Sequence, residues 1–114
     1  MATSTIKNPY RMAMEKVWEN DDPSVAFASQ TISVDLSEYV LCMLQFKTYN
    51  NSGNTDLTVP VTGYQWRAEM WTSTSQLYTR LATVRTNGVV FGGGYSNGSV
   101  DNLSLVPFRI YGIK

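Results

Sequence analysis

The sequence predicts an all-β fold: an antiparallel β-sandwich or jelly-roll-like domain of about seven to eight strands. Short segments in which apolar and polar residues alternate recur along the chain, and clusters of turn residues separate them. No segment shows a convincing helical period, and one Asn-Gly pair stands between two β-rich runs. The length of 114 residues suits one domain. We therefore expect an N-terminal arm or attachment segment over residues 1–13 and a single sandwich domain over 14–114.

The first half of the chain contains three predicted strands. The first covers residues 15–19 and stops at the turn cluster Asn-Asp-Asp-Pro at 20–23. Residues 27–36 alternate between an apolar and a polar face, as in a half-buried strand. The run 39–49 is the most apolar stretch, and it predicts a central strand covered on both sides. A helix is the rival interpretation of this run, but the turn signals and aromatic residues at its ends favour a strand. Residues 50–54 are predicted to form a loop.

The next two predicted strands cover residues 57–62 and 64–71. Pro60 lacks an amide hydrogen, so the first of them is expected at a sheet edge or a bulge. The second alternates with Trp66, Ala68 and Met70 on one face. A polar Thr/Ser run at 72–75 then predicts a turn.

The last part of the chain predicts a hairpin and a final strand. Residues 77–85 and 89–91 are expected to pair through Asn87-Gly88 in a type I′ turn, because both residues tolerate positive φ. Residues 92–99 are predicted to form a glycine-rich loop, with a tight turn or bulge at the glycines. The motif lacks the Lys-Ser/Thr of a phosphate-binding loop. The final strand covers 105–113, with Val106, Phe108 and Ile110 on one face.

The composition predicts a polar surface with little net electric field. Nine basic and nine acidic residues give a net charge of +0, and charged residues make up 16 % of the chain. Because Lys and Arg are scattered singly, we do not expect nucleic-acid binding. The sequence shows no apolar run of 18 residues and no charged-then-apolar leader, so we expect neither a membrane span nor a Sec-type signal.

The chain offers few residues for catalysis. It has no histidine, which is the commonest general base and metal ligand, and one cysteine, Cys42, in an apolar run. We predict no catalytic residue, no cofactor and no metal site. Glu69 with a second acid could serve a glycosidase, but an outward-facing strand residue is the favoured interpretation. Asp21, Asp22 and Asp56 could hold calcium, but no loop has the spacing of a dedicated site.

Aromatic residues are the main candidates for binding. The chain has three Trp and seven Tyr, of which many must fill the core. Those near predicted loops could contact a sugar or a protein partner. The predicted contact residues are Tyr49, Tyr64, Trp71 and Tyr95.

Several segments resemble small structural proteins of tailed bacteriophages and prophages, of the tail-fibre or virion-appendage type. The resemblance is carried by residues 2–9, 16–20, 27–39, 84–95 and 106–114. It implies a non-enzymatic virion protein, made in the host cytoplasm, that takes part in attachment to a host-surface glycan or protein. It further implies a homotrimer, with the N-terminal arm contacting other virion proteins. A capsid decoration or head-fibre protein with an architectural role is the alternative, and a small glycan-active enzyme is the third.

Overall fold

The computed structural model describes residues 13–47 and 54–114, and within them the chain is all β. The predicted arm 1–13 lies outside the described residues except for Ala13, and so do residues 50–53 of the predicted loop. The strands are β1 Met14–Glu19, β2 Gln30–Ser33, β3 Leu41–Lys47, β4 Asn54–Pro60, β5 Gln65–Ser73, β6 Gln76–Arg85, β7 Gly88–Ser96, β8 Ser99–Val100 and β9 Val106–Ile113.

The strands form two antiparallel sheets, which confirms the predicted sandwich. The four-stranded sheet has the order β1-β9-β3-β4. The five-stranded sheet has the order β2-β7-β6-β5, and β8 pairs with the end of β7. The two sheets share one core, in which Phe46 of β3 meets Phe91 of β7 edge to face at 6.1 Å between ring centroids.

The predicted central strand is β3, which lies between β9 and β4. Cys42, Leu44 and Phe46 are fully buried, whereas the residues that alternate with them are half-buried. The prediction of a strand is confirmed, but the prediction that both faces are covered is wrong. In a two-layer sandwich each sheet has one inner face, and the described residues provide no third layer.

Strand β2 is shorter than the strand predicted for residues 27–36. Only Gln30–Ser33 pairs with β7, instead of residues 27–36. On either side the backbone bonds to loops: the Phe27 amide donates to the Asn102 carbonyl at 2.9 Å, and the Leu36 amide donates to the Thr86 carbonyl at 2.7 Å. Leu36 continues the inner face of Ile32, but Phe27 is buried although strict alternation would place it on the opposite face, because it packs under a loop and not in the strand.

The hairpin between β6 and β7 is confirmed, but its turn is not of type I′. Arg85 pairs with Gly88, so the two central residues are Thr86 and Asn87. Among the described non-glycine residues only Asn97 and Leu105 have positive φ, so Asn87 does not. Gly88 is required for another reason: a Cβ there would overlap the Ile32 carbonyl of the adjacent β2.

The segment predicted as a glycine-rich loop continues strand β7 instead. Gly92 and Gly93 lie opposite Leu81, where the register of β6 and β7 shifts, so the predicted bulge is confirmed. The turn with two positive φ angles lies further on, at Asn97 (φ 50°) and Gly98 (φ 82°), between the paired Ser96 and Ser99.

The remaining strand predictions agree with the structure in position, although β4 covers Asn54–Pro60 instead of 57–62 and β5 continues to Ser73 in the predicted turn 72–75. β4 is an edge strand that ends at Pro60, and β5 buries Trp66, Ala68 and Met70 at least partly, both as predicted. In β9, Phe108 is buried but does not pack in the main core cluster that contains Val106 and Ile110. A register shift leaves Phe108 unpaired with β3, and the Arg109 guanidinium lies 4.0 Å from its ring centroid.

Candidate functional site

Two of the four predicted contact aromatics lie on the outer face of the five-stranded sheet. Trp71 on β5 pairs with Leu77, and Tyr95 on β7 pairs with Thr79, two residues further along β6. Both side chains point away from the core, because the Met70 side chain next to Trp71 points inward and a Cβ at Gly94, next to Tyr95, would point towards the buried Arg80. Trp71 is 59 % exposed and Tyr95 38 % exposed. The sheet therefore presents both rings to solvent on one surface.

Three aliphatic residues extend this surface. Leu81 and Val100 are exposed, and Leu77 is half-exposed beside them on the same face. Val100 pairs directly with Tyr95. We call this surface the outer patch; it consists of Trp71, Leu77, Leu81, Tyr95 and Val100.

Sequence reasoning missed the aliphatic members of the outer patch, although the signal for Leu77 and Leu81 was present. Both alternate with the buried residues Tyr78, Arg80 and Ala82 in β6. Val100 gave no signal, because it follows a turn that was interpreted as part of a loop.

The other two predicted aromatics are not part of the outer patch. Tyr64 is 68 % exposed, but it precedes β5 and so lies at the opposite end of that strand from Trp71. Tyr49 lies outside the described residues. The structure thus brings together Trp71 and Tyr95 and separates them from Tyr64.

A buried arginine lies on the inner face of the sheet that carries the outer patch, and no pattern in the sequence indicated its role. Arg80 of β6 is 0 % exposed. Its guanidinium donates hydrogen bonds of 2.7 to 3.3 Å to the main-chain carbonyls of Phe27, Gly92, Asn102, Ser104 and Leu105. Burial lowers the pKa of Arg80 to about 10, so the group is still protonated at neutral pH.

Arg80 holds the segment that follows β8 against β7. Gly94 permits this close approach, since a Cβ there would lie 2.7 Å from both the Arg80 Nη2 and the Ser104 carbonyl oxygen. The Asn102 side chain adds a bond by accepting from the Gly94 amide at 3.0 Å. These contacts fix the positions of Tyr95 and Val100 on the opposite face of the same strands.

Apart from the outer patch, the sandwich has a concavity at its side, between the edge strands β1 and β2. Its volume is about 470 Å³, and Trp18, Phe27 and Ile32 contribute apolar walls. Two of its three carboxylates, Glu19 and Asp22, have partners within the chain. Hydrogen bonding to Lys16 lowers the pKa of Glu19, and hydrogen bonding to Ser24 lowers the pKa of Asp22.

The residues considered for catalysis lie in ordinary environments. Glu69 is exposed on β5, as predicted, and its carboxylate accepts a hydrogen bond from Arg67 at 2.6 Å. Cys42 is fully buried, and burial raises the pKa of its thiol to about 12. Within residues 13–47 and 54–114 no three His, Cys, Asp or Glu side chains are grouped to hold a metal ion. The same residues form no helix with the length and apolarity needed to cross a membrane.

Comparisons of the chain with protein-family models, with curated proteins and with solved structures find no match. The resemblance to phage appendage proteins therefore stays a prediction.

Proposed function

We propose that this protein is a non-enzymatic structural protein of a bacteriophage virion, part of a tail fibre or appendage, whose outer patch contacts the host surface. The observation that carries the binding role is the exposure of Trp71 and Tyr95 on one face of a rigid sheet. Large exposed apolar groups on a folded domain mark interaction surfaces. The assignment to a virion is supported by the resemblance in residues 2–9, 16–20, 27–39, 84–95 and 106–114.

The geometry of the outer patch favours an extended ligand. Trp71 and Tyr95 are two strands apart, so a strand spacing of about 4.8 Å separates them by roughly 10 Å across the sheet. One ring-sized ligand would not span both side chains, whereas an oligosaccharide or a protein surface would. Each ring offers an apolar face for stacking, and its Nε1–H or hydroxyl can hydrogen-bond at the margin.

Because the net charge of the chain is zero, we expect its ligand to be a neutral glycan or a polar protein surface and not a strongly charged molecule. Nine basic and nine acidic residues cancel, and on the outer face Arg67 and Glu69 neutralise each other at 2.6 Å. The resemblance adds two partner proposals, a homotrimer and a contact between residues 1–13 and other virion proteins. A decoration or head-fibre protein is the architectural alternative.

The test is binding of the purified protein to intact cells of candidate hosts and to an array of bacterial surface glycans. Trp71→Ala and Tyr95→Ala should each weaken binding at least about tenfold, as expected for central aromatic contacts. Tyr64→Ala is the matched control, because Tyr64 is at least as exposed as either residue but lies outside the outer patch. Equal losses in all three variants, or none, would contradict the proposal for this surface.

A further inference from the structure

Strand β5 is a long sheet edge whose outer side carries no partner within the described parts of the chain. It covers nine residues, Gln65–Ser73, and pairs on its inner side with β6. Its register with β6 is regular from Gln65 to Trp71. Such an edge exposes a row of unpaired amide and carbonyl groups, which can pair with another strand.

The other edge strands within the described residues are all shorter than β5. β2 has four residues and β8 has two. β1 has six residues and carries a register shift between Lys16 and Trp18, whereas β4 has seven regularly paired residues, of which Pro60 is the last. Short strands, bulges and prolines are the usual means of preventing edge pairing. β5, with nine residues, is the longest edge among the described strands.

The outward side chains of β5 match those of a second β5 that runs antiparallel to it. If Ala68 lies opposite Ala68 of the second copy, then Arg67 lies opposite Glu69 and Glu69 opposite Arg67. All four charged groups are on the outer face, and Arg67 and Glu69 are more than 40 % exposed. On the inner face Trp66 lies opposite Met70, an apolar pair. Opposite charges directly across two strands stabilise their pairing.

From this match we propose that β5 pairs with β5 of a second copy of this chain, about a twofold axis at Ala68. Other registers of the two β5 strands bring less favourable side chains opposite each other. Centring on Arg67 or on Glu69 places like charges opposite each other. A shift by one residue places the outer face of one copy opposite the inner face of the other. The self-complementary register is therefore specified by the spacing of one Arg and one Glu around a small residue.

The pairing would join two five-stranded sheets into one and place two outer patches on the same surface. Trp71 would lie opposite Gln65 of the second copy, beside the new junction. Two patches on one particle bind a repeated ligand more tightly than one, because the second contact is intramolecular. A twofold contact produces a dimer, so a trimer of the kind the resemblance predicts would need a different surface.

The experiment is a charge-reversal series measured by sedimentation velocity over a range of protein concentrations. The wild-type chain should form a dimer. Arg67→Glu alone and Glu69→Arg alone should each weaken it at least about tenfold, because like charges then face each other on both sides of the axis. The double variant R67E/E69R should dimerise nearly as well as the wild type, and a mixture of the two single variants should form a heterodimer.

A matched control and a cross-link make the result specific. Asp56→Arg makes a comparable charge change on β4, the edge of the other sheet, and should leave dimerisation unchanged. Mixing Arg67→Cys with Glu69→Cys should give a disulfide-linked dimer, and the native Cys42 is too buried to compete. A wild-type chain that stays monomeric, a trimer insensitive to the reversals, or single variants whose mixture does not associate would each overturn the proposal. These measurements do not involve a ligand, so they test the dimer separately from the proposed binding role of the outer patch.

Discussion

Arg80 shows how one residue organises several segments. Its guanidinium is fully buried and hydrogen-bonds to five main-chain carbonyls from three parts of the chain: Phe27, Gly92 and residues 102–105. The planar fork of Arg can serve this many acceptors, whereas a Lys ammonium has three donors at one point. Loss of the guanidinium would leave buried carbonyls without donors, and each such group costs about 1–3 kcal/mol.

We expect Arg80→Met to lower the free energy of unfolding by at least about 3 kcal/mol, because several buried carbonyls lose their donor together. Arg80→Lys should recover only part of this loss. The measurement is urea-induced unfolding followed by tryptophan fluorescence. Arg85→Ala, at the exposed end of the same strand, is the control and should change stability by less than about 0.5 kcal/mol. A loss below about 1 kcal/mol for Arg80→Met would contradict the organising role.

At the scale of the strand and its turns, the two Asn-Gly pairs have different roles. At residues 97–98 both φ angles are positive, and Asn97 also ties the turn to β6. The main-chain amide of Asn97 donates to the Leu77 carbonyl, and the side-chain Oδ1 of Asn97 accepts from the main-chain amide of Leu77, both at 2.8 Å. At residues 87–88 the Asn does not have positive φ, and the Gly (φ 152°) is also needed to let β2 approach. The same dipeptide thus serves turn geometry in one place and strand packing in the other.

Asn97→Ala should therefore destabilise the protein by about 1–2 kcal/mol, through the cost of positive φ without Asn or Gly and the loss of one hydrogen bond. Asn87→Ala should cost less than about 0.5 kcal/mol, since Asn87 is exposed and its backbone is not strained. Thermal unfolding of the two variants side by side provides the measurement. The reverse order of the two melting temperatures would show that the turn types have been assigned wrongly.

At the scale of the whole molecule, a chain of aromatic rings joins the two sheets. Trp18 of β1 meets Phe27 at 6.3 Å, Phe27 meets Phe91 of β7 at 5.7 Å, and Phe91 meets Phe46 of β3 at 6.1 Å, all edge to face. Phe91 contacts rings on both sides and is fully buried. Its ring therefore contributes to the cohesion of both sheets at once.

We expect Phe91→Ala to cost about 3–5 kcal/mol, because it removes two ring contacts and leaves a cavity between the sheets. Phe91→Leu keeps most of the volume and should cost clearly less. Equilibrium denaturation monitored by circular dichroism and by fluorescence will measure both changes. If Phe91→Ala costs no more than Phe91→Leu, the rings do not join the sheets as described.

The sequence alone determined the class of the fold, most strand positions and the restriction of the Pro60 strand to a sheet edge or a bulge. These follow from local rules: alternation assigns faces along one strand, and Pro60 limits the pairing of its own backbone. Even there, the pattern around residues 27–36 could not separate pairing with a strand from burial under a loop, because both produce a buried apolar face.

Only the tertiary structure decided how Arg80 is used, which Asn-Gly pair forms the turn with positive φ, and which aromatics share a surface. Arg80 finds its acceptors in segments up to 53 residues away, which no local pattern reveals. Trp71 and Tyr95 share one surface because β6 pairs with both of their strands, and the register of β6 with β7 includes the bulge at Gly92 and Gly93. Local spacing determines which way a side chain points, but the pairing of distant strands determines which side chains lie beside it.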